Sequence, residues 1–188
     1  MRDGRLRDAM TKPMTLLDRV ATLLADRNVP HALIGAAALA VHGISRSTLD
    51  QDLLVTHPAV LDPLFWILLT PDAVIDARPG DVEDPLAGVV RLRANGERDV
   101  DVVVGRDAWQ TAVVARAQPV RFGASSIPVV TAADLVLLKL YAGGTQDRWD
   151  VEQLMGTDAD GQVARQIEER VAALPARCRA LWGQLRHA

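Results

Sequence analysis

The sequence predicts one compact domain of the α/β or α+β class, and three observations carry that expectation. About half of the 188 residues are hydrophobic but only 4% are aromatic, so the core is packed by aliphatic side chains, which suits helices laid against a sheet. A chain of this length buries a sizeable core as a single unit. Apolar residues at helical spacing alternate with short apolar runs bounded by Gly, Pro, Asn and Asp, the pattern of interleaved helices and strands.

Along the chain, Leu16, Leu17, Val20, Leu23 and Leu24 predict an amphipathic helix over 14–28, ended by Pro30. A strand at 31–34, a turn at Gly35 and a helix at 36–41 follow, broken at His42-Gly43. Residues 50–55 begin polar and end apolar, as a strand entering the core does. A helix is expected over 59–69, its start disturbed by Pro63, and 72–85 reads as loop with a short strand at Val74-Ile75. Strands at 88–94 and 98–104 join at Asn95-Gly96, the strongest hairpin signal present. A helix over 107–116 and short strands near Val120 and Val129 come next. Thr131 with Asp134 predicts a capping box opening a helix over 132–142. Gly143-Gly144 closes it, Thr145 is placed to cap a helix reaching Met155, and two amphipathic helices split by Pro175 finish the chain. The expected organisation is a core over 1–130 with a C-terminal helical part, 131–188, packed on it.

Several function classes are disfavoured. Residues 1–12 are polar and Arg-rich with no apolar stretch behind them, unlike a signal peptide or membrane anchor. The longest apolar run, 64–69, is too short to span a bilayer. Cys178 is the sole cysteine, which excludes an internal disulfide framework and a cysteine-built zinc site and suits a reducing cytoplasm. His31, His42, His57 and His187 show no metal spacing, and no Ser/His/Asp order supports a hydrolase. The net charge of -3 gives no general pull towards nucleic acid. Arg91, Arg93 and Arg98 near the hairpin, and Arg165, Arg170, Arg177, Arg179 and Arg186 near the end, are either local anion sites or solvated faces.

Asp50 and Asp52, two apart on a strand, are expected to project on one side. Asp-x-Asp alone discriminates little, since Asp99/Asp101 and Asp158/Asp160 repeat it. The setting is what separates the first pair: Asp52 runs into Leu53-Leu54-Val55 and Asp101 into Val102-Val103-Val104, so both are anchored in the core. Two carboxylates about 4 Å apart repel by on the order of 4 kcal/mol at an effective dielectric near 20, and a divalent cation reverses that sign. Oxygen-only ligands suit Mg²⁺ or Mn²⁺, ions that support phosphoryl displacement.

Gly35 stands where a strand hands over to a helix, either an anion-binding turn or simply a tight one. Arg46, Ser47 and Thr48 lie within reach of the same place as donors. Of the 21 basic residues only Lys12 and Lys139 are lysine, and Lys139 interrupts the apolar run 135–141. A compact ammonium there suits a phosphate, unless it snorkels to solvent. Asp147 and Asp150 share a helix face and can pair with Arg148 or Arg177, or turn inward towards Lys139.

In this order, the stretches 31–54, 99–104, 134–140 and 147–154 resemble the DNA polymerase beta-like nucleotidyltransferase superfamily, and most of all its branch of AbiEii-type and MenT-type toxins. The resemblance implies a mixed sheet flanked by helices, with C-terminal helices. It implies that Asp50, Asp52 and Asp101 bind Mg²⁺ or Mn²⁺ and that Asp101 helps deprotonate the acceptor. Gly35 and Ala36 through their amides, with Arg46, Ser47 and Lys139, would contact the triphosphate, and Asp147 and Asp150 would contribute to the nucleotide pocket. The family has Gly-Gly or Gly-Ser where this chain has Gly35-Ala36, so a serine hydroxyl contact is absent. The expected activity is transfer of NMP from an NTP to tRNA by a cytoplasmic toxin held by an antitoxin. The alternatives are a protein acceptor, as in adenylylating enzymes and antitoxins, or a non-catalytic binding domain of the same fold.

Overall fold

A seven-stranded mixed sheet holds the aliphatic core. The computed structural model describes residues 14–47, 50–122 and 125–186; Lys12, Thr48 and His187, named above, lie outside them. The helices are α1 (Leu16–Asp26), α2 (Gly35–Val41), α3 (Ala108–Ala115), α4 (Ala132–Ala142), α5 (Thr145–Gly156), α6 (Gln162–Arg170) and α7 (Ala176–Leu185). The strands are β1 (His31–Ile34), β2 (Gln51–Val55), β3 (Val74–Pro79), β4 (Gly88–Arg93), β5 (Val100–Val104), β6 (Gln118–Phe122) and β7 (Ser125–Val129), in the sheet order β3-β4-β5-β2-β1-β7-β6. The pairs β2–β5 and β1–β7 are parallel and the others antiparallel.

Central strands are covered on both faces: the consecutive residues Leu53, Leu54 and Val55 of β2 are all buried, as are Val100, Asp101 and Val102 of β5. At the β3–β4 end one face stays open. There Val90 and Leu92 enter the core while Val89, Arg91 and Arg93 point the other way, the alternation of a half-covered antiparallel strand. The C-terminal helices are tied to the core by buried Asp134, whose carboxylate accepts a forked pair of hydrogen bonds from Arg116, one from Thr131 and an ion pair at 3.3 Å from Arg170. One charged side chain thus joins α3, α4 and α6, and both its oxygens accept hydrogen bonds, as burial of charge demands.

Four expectations need correction. The helix over 59–69 is two short 3₁₀ turns, Pro58–Leu61 and Pro63–Trp66, because prolines at 58 and 63 each open a new turn and Asp62 caps the second. The loop 72–85 contains the six-residue strand β3. Gly144, not Thr145, is the N-cap of α5, and its amide donates to Asp147 at 3.0 Å. Asp50 precedes β2 rather than lying in it. No helix among the described residues is long and apolar enough to cross a membrane.

Candidate active site

Register across the sheet assembles a charged row. Ile34 of β1 lies opposite Asp52, Asp52 opposite Asp101, Asp101 opposite Arg91 and Arg91 opposite Asp76. Directly opposed residues project on one face, so two strand carboxylates far apart in sequence are brought side by side.

Asp52 is the crowded member. Burial above all, then the charges of Asp101 and Asp50, push its carboxyl from 3.8 up to about 6, against the pull of Lys139 and Arg91. Among the described residues no hydrogen-bond donor reaches it. Against it, at the junction of β1 and α2, lies Gly35, at φ +63°, where an added Cβ would lie 2.0 Å from Asp52 Oδ2. The glycine therefore serves the approach of a carboxylate, a use the sequence did not reveal. Gly35→Ala is expected to destabilise the fold by roughly 2–3 kcal/mol, combining left-handed backbone strain with displacement of Asp52. Thermal melts and a Mn²⁺ titration of the metal-free variant check it: an unchanged melt with unchanged Mn²⁺ affinity removes this account of Gly35.

Asp101 is only 8% exposed, and both its oxygens are engaged by the Arg91 fork, with Nε to Oδ1 at 2.7 Å. That bond also raises the Arg91 pKa above its ordinary value. Asp99 instead faces Arg93 at 3.4 Å, which favours Asp101 over Asp99 as the partner of Asp52. Among the described residues no three His, Cys, Asp or Glu groups are drawn together closely enough to hold an ion. The donor set still fits a divalent cation at Asp50 and Asp52, whose carboxylates accept no side-chain hydrogen bond among the described residues. Asp101 fits once its guanidinium partner yields.

The second half of the site is cationic. Lys139 does not snorkel to solvent; its Nζ lies 2.9 Å from Asp147 and 2.8 Å from Asp150. Burial acts to lower its pKa, and the pairs with Asp147 and Asp150 outweigh that and raise it. Arg46 pairs with the other oxygen of Asp150, which is fully buried. Asp147 and Asp150 thus turn inward, choosing Lys139 and Arg46 over Arg148 and Arg177; Arg177 goes to the Tyr141 carbonyl and ring. Ala36, Arg46 and Asp50 line a small cavity of about 150 Å³ with Arg98 on its rim. Ser47 is exposed beside them.

Arg91 and Arg98, read from the sequence as anion sites or solvated faces, stand at the site, on Asp101 and at the small cavity respectively, and Trp149 joins them as a residue the sequence reading did not single out. Trp149 is 45% exposed between Asp147 and Asp150, with the Arg46 guanidinium 5.9 Å over its ring. A large exposed aromatic between two inward carboxylates of one helix was the available signal. The three described histidines serve structure: His31 bonds the Val29 carbonyl, His42 the Val130 carbonyl, and His57 caps the Ala59 amide.

No family model and no curated protein matches the sequence. Among solved structures, the antibiotic-resistance factor ANT(2'')-Ia superposes with a TM-score of 0.53 at 12% identity, over 92% of this chain and 96% of that one. A Thermotoga maritima protein provisionally assigned as a nucleotidyltransferase gives 0.52 at 12% identity, over 74% of this chain and 90% of that one. The chain has the nucleotidyltransferase fold. In this fold the row Asp52-Asp101 occupies the centre of the sheet, with the Arg46-Lys139-Asp150 cluster beside it.

Proposed function

We propose that the chain is a nucleotidyltransferase that uses a divalent cation, Mg²⁺ or Mn²⁺, to move NMP from an NTP to a hydroxyl of its acceptor. One observation carries the reading: Asp52 and Asp101 stand side by side with Asp50 near, and Asp52 is left with a carboxyl pushed up to about 6 and no donor to relieve it. Asp50, Asp52 and Asp101 would hold the cation, which when bound neutralises charge on the phosphates and acidifies the attacking hydroxyl. Arg46 and Lys139, with the amides after Gly35 and the Ser47 hydroxyl, bind the triphosphate. Asp147 and Asp150 hold the two cations in place, and Trp149 gives the nucleobase a stacking face. The acceptor oxygen bonds to the α-phosphorus, the bond to the β-phosphate oxygen breaks, pyrophosphate leaves, and Asp101 receives the proton.

The proposed acceptor is tRNA and the proposed setting a cytoplasmic toxin restrained by an antitoxin. The support is the resemblance of 31–54 to the AbiEii and MenT branch, together with the arginines that continue the site beyond Asp101. A second reading, a non-catalytic domain of the same fold, is favoured by the closed Arg91–Asp101 pair. Incubation with each labelled NTP, Mg²⁺, total tRNA and cell lysate separates the readings. Label on tRNA is expected; label on a polypeptide replaces the acceptor, and no label with intact protein leaves the non-catalytic reading.

A further inference from the structure

The charged row has two sides, and only one is used by the nucleotide in the reading above. On the β1 and β2 side lies the small cavity of Ala36, Arg46 and Asp50. On the β4 and β3 side, beyond Asp101, lies a larger trough of about 510 Å³, floored by Arg78, Arg91 and Arg93. In-line displacement places the entering oxygen and the leaving pyrophosphate on opposite sides of the phosphorus, so the side of the carboxylates away from the triphosphate pocket belongs to the acceptor.

The trough is a built feature. Its wall is the loop from Gly80 to Ala87, and Arg106 donates to the carbonyls of Asp81, Val82 and Leu86 at 2.7, 2.8 and 2.6 Å. Tyr141 of α4 donates to the Pro85 carbonyl at 3.1 Å. Gly80 permits the tight return, because a Cβ there would lie 2.6 Å from the Leu86 carbonyl oxygen. An exposed loop has no need of so many fixings unless its shape matters.

The floor tells what fits. Arg78 is held by Asp76 at 2.6 Å, Arg93 by Asp99 at 3.4 Å, and Arg91 by Asp101. Each guanidinium is thus oriented by a carboxylate while staying at least two-fifths exposed. Arginine's planar fork matches carboxylate and phosphate alike, so phosphates can take over contacts the carboxylates now make. Pro79, Pro85 and Leu86 add apolar walls suited to ribose and base faces.

We infer that this trough is the acceptor subsite and that it takes the phosphodiester backbone of an RNA strand whose terminal hydroxyl reaches Asp101. The inference rests on the nucleotidyltransferase reading and adds to it the place and chemistry of acceptor binding. Arg91 has a double position, on Asp101 and on the trough floor, so seating the strand draws the guanidinium towards phosphate and frees Asp101 for its role.

The test uses the full chain, fluorescent tRNA and a non-hydrolysable ATP analogue with Mg²⁺. The double variant Arg78→Ala/Arg93→Ala changes two exposed side chains outside the proposed chemistry. It should weaken tRNA binding roughly tenfold or more and lower the slope of log affinity against log salt by about 1.5 to 2, since two phosphate contacts are lost. Its affinity for the ATP analogue should not change. If the wild type binds and labels tRNA and the double variant does so equally well, the subsite is wrong and the transferase reading survives. If the wild type labels a polypeptide and does not bind tRNA, the RNA class falls while transfer stands. If it neither binds tRNA nor transfers label, both fall.

Discussion

Asp52→Asn is expected to lower nucleotidyl transfer by at least about a thousandfold while making the metal-free protein more stable at neutral pH. The loss follows from removing the central ligand, since a bound cation contributes several kcal/mol of transition-state stabilisation and about 4 kcal/mol is a factor of a thousand. The gain follows from the shift of the Asp52 carboxyl from 3.8 to about 6, caused first by burial and then by Asp101 and Asp50. The folded state holds that proton more tightly than the unfolded chain does, so the charged form costs stability. The penalty is absent below about pH 3.8, builds between there and about 6, and is complete above. It amounts to about 2–3 kcal/mol, or roughly 5–10 °C in Tm for a chain of this size. The variant should therefore melt higher than wild type at pH 7.5 and nearly with it at pH 4. Mg²⁺ should raise the wild-type Tm and leave the variant's where it is. Transfer that persists in Asp52→Asn would falsify the catalytic role, and a variant no more stable at pH 7.5 than at pH 4, each relative to wild type, would remove the crowding argument.

The opposed carboxylates were legible because both strands announce themselves: Asp52 and Asp101 each open an apolar run, and two such strands adjacent in a sheet have few ways to align. Arg91 was not legible, and the reason is register. A two-residue turn at Asn95-Gly96 would place Arg91 opposite Val100, on the wrong face, whereas the observed pairing is Arg91 with Asp101. The turn itself does form, with the Glu97 amide bonding the Ala94 carbonyl at 3.2 Å. Glu97 then leaves the strand to receive the Leu16 amide and Arg19, and β5 resumes only at Val100. One residue of slip reverses every side chain, so a long-range tie to α1 decided which cation meets Asp101. The trough was hidden for the same kind of reason. It depends on Arg106 reaching back to 81–86, a contact with no local signature in a segment that reads as loop. Lys139 was visible as an anomaly in an apolar helix, but its partners were open until α5 was placed.

The clamp formed by those partners sets the second large expectation: Asp150→Ala should cost about 3–5 kcal/mol of stability, the usual consequence of stripping a buried charge of its counter-ion. Asp150 is fully buried and bridges Arg46 to Lys139, whose side chains are only 10% and 17% exposed. Without it Lys139 retains Asp147 and Arg46 retains, among the described residues, the face of exposed Trp149, so two cations confront each other across the vacated volume. Tm should fall by about 10 °C or more. Adding Lys139→Met to the variant should return part of that loss, because the two positions share one interaction and their effects cannot add. Inorganic tripolyphosphate then separates structure from function. If Arg46 and Lys139 receive the triphosphate, an anion that binds between them substitutes for the missing carboxylate and stabilises the folded state according to its affinity. Its effect on the Tm of Asp150→Ala should exceed its effect on wild type, where Asp150 competes for the same two cations. A destabilised variant on which tripolyphosphate acts no more than on wild type would mark the pair as a clamp of the fold alone and take Arg46 and Lys139 out of the nucleotide site.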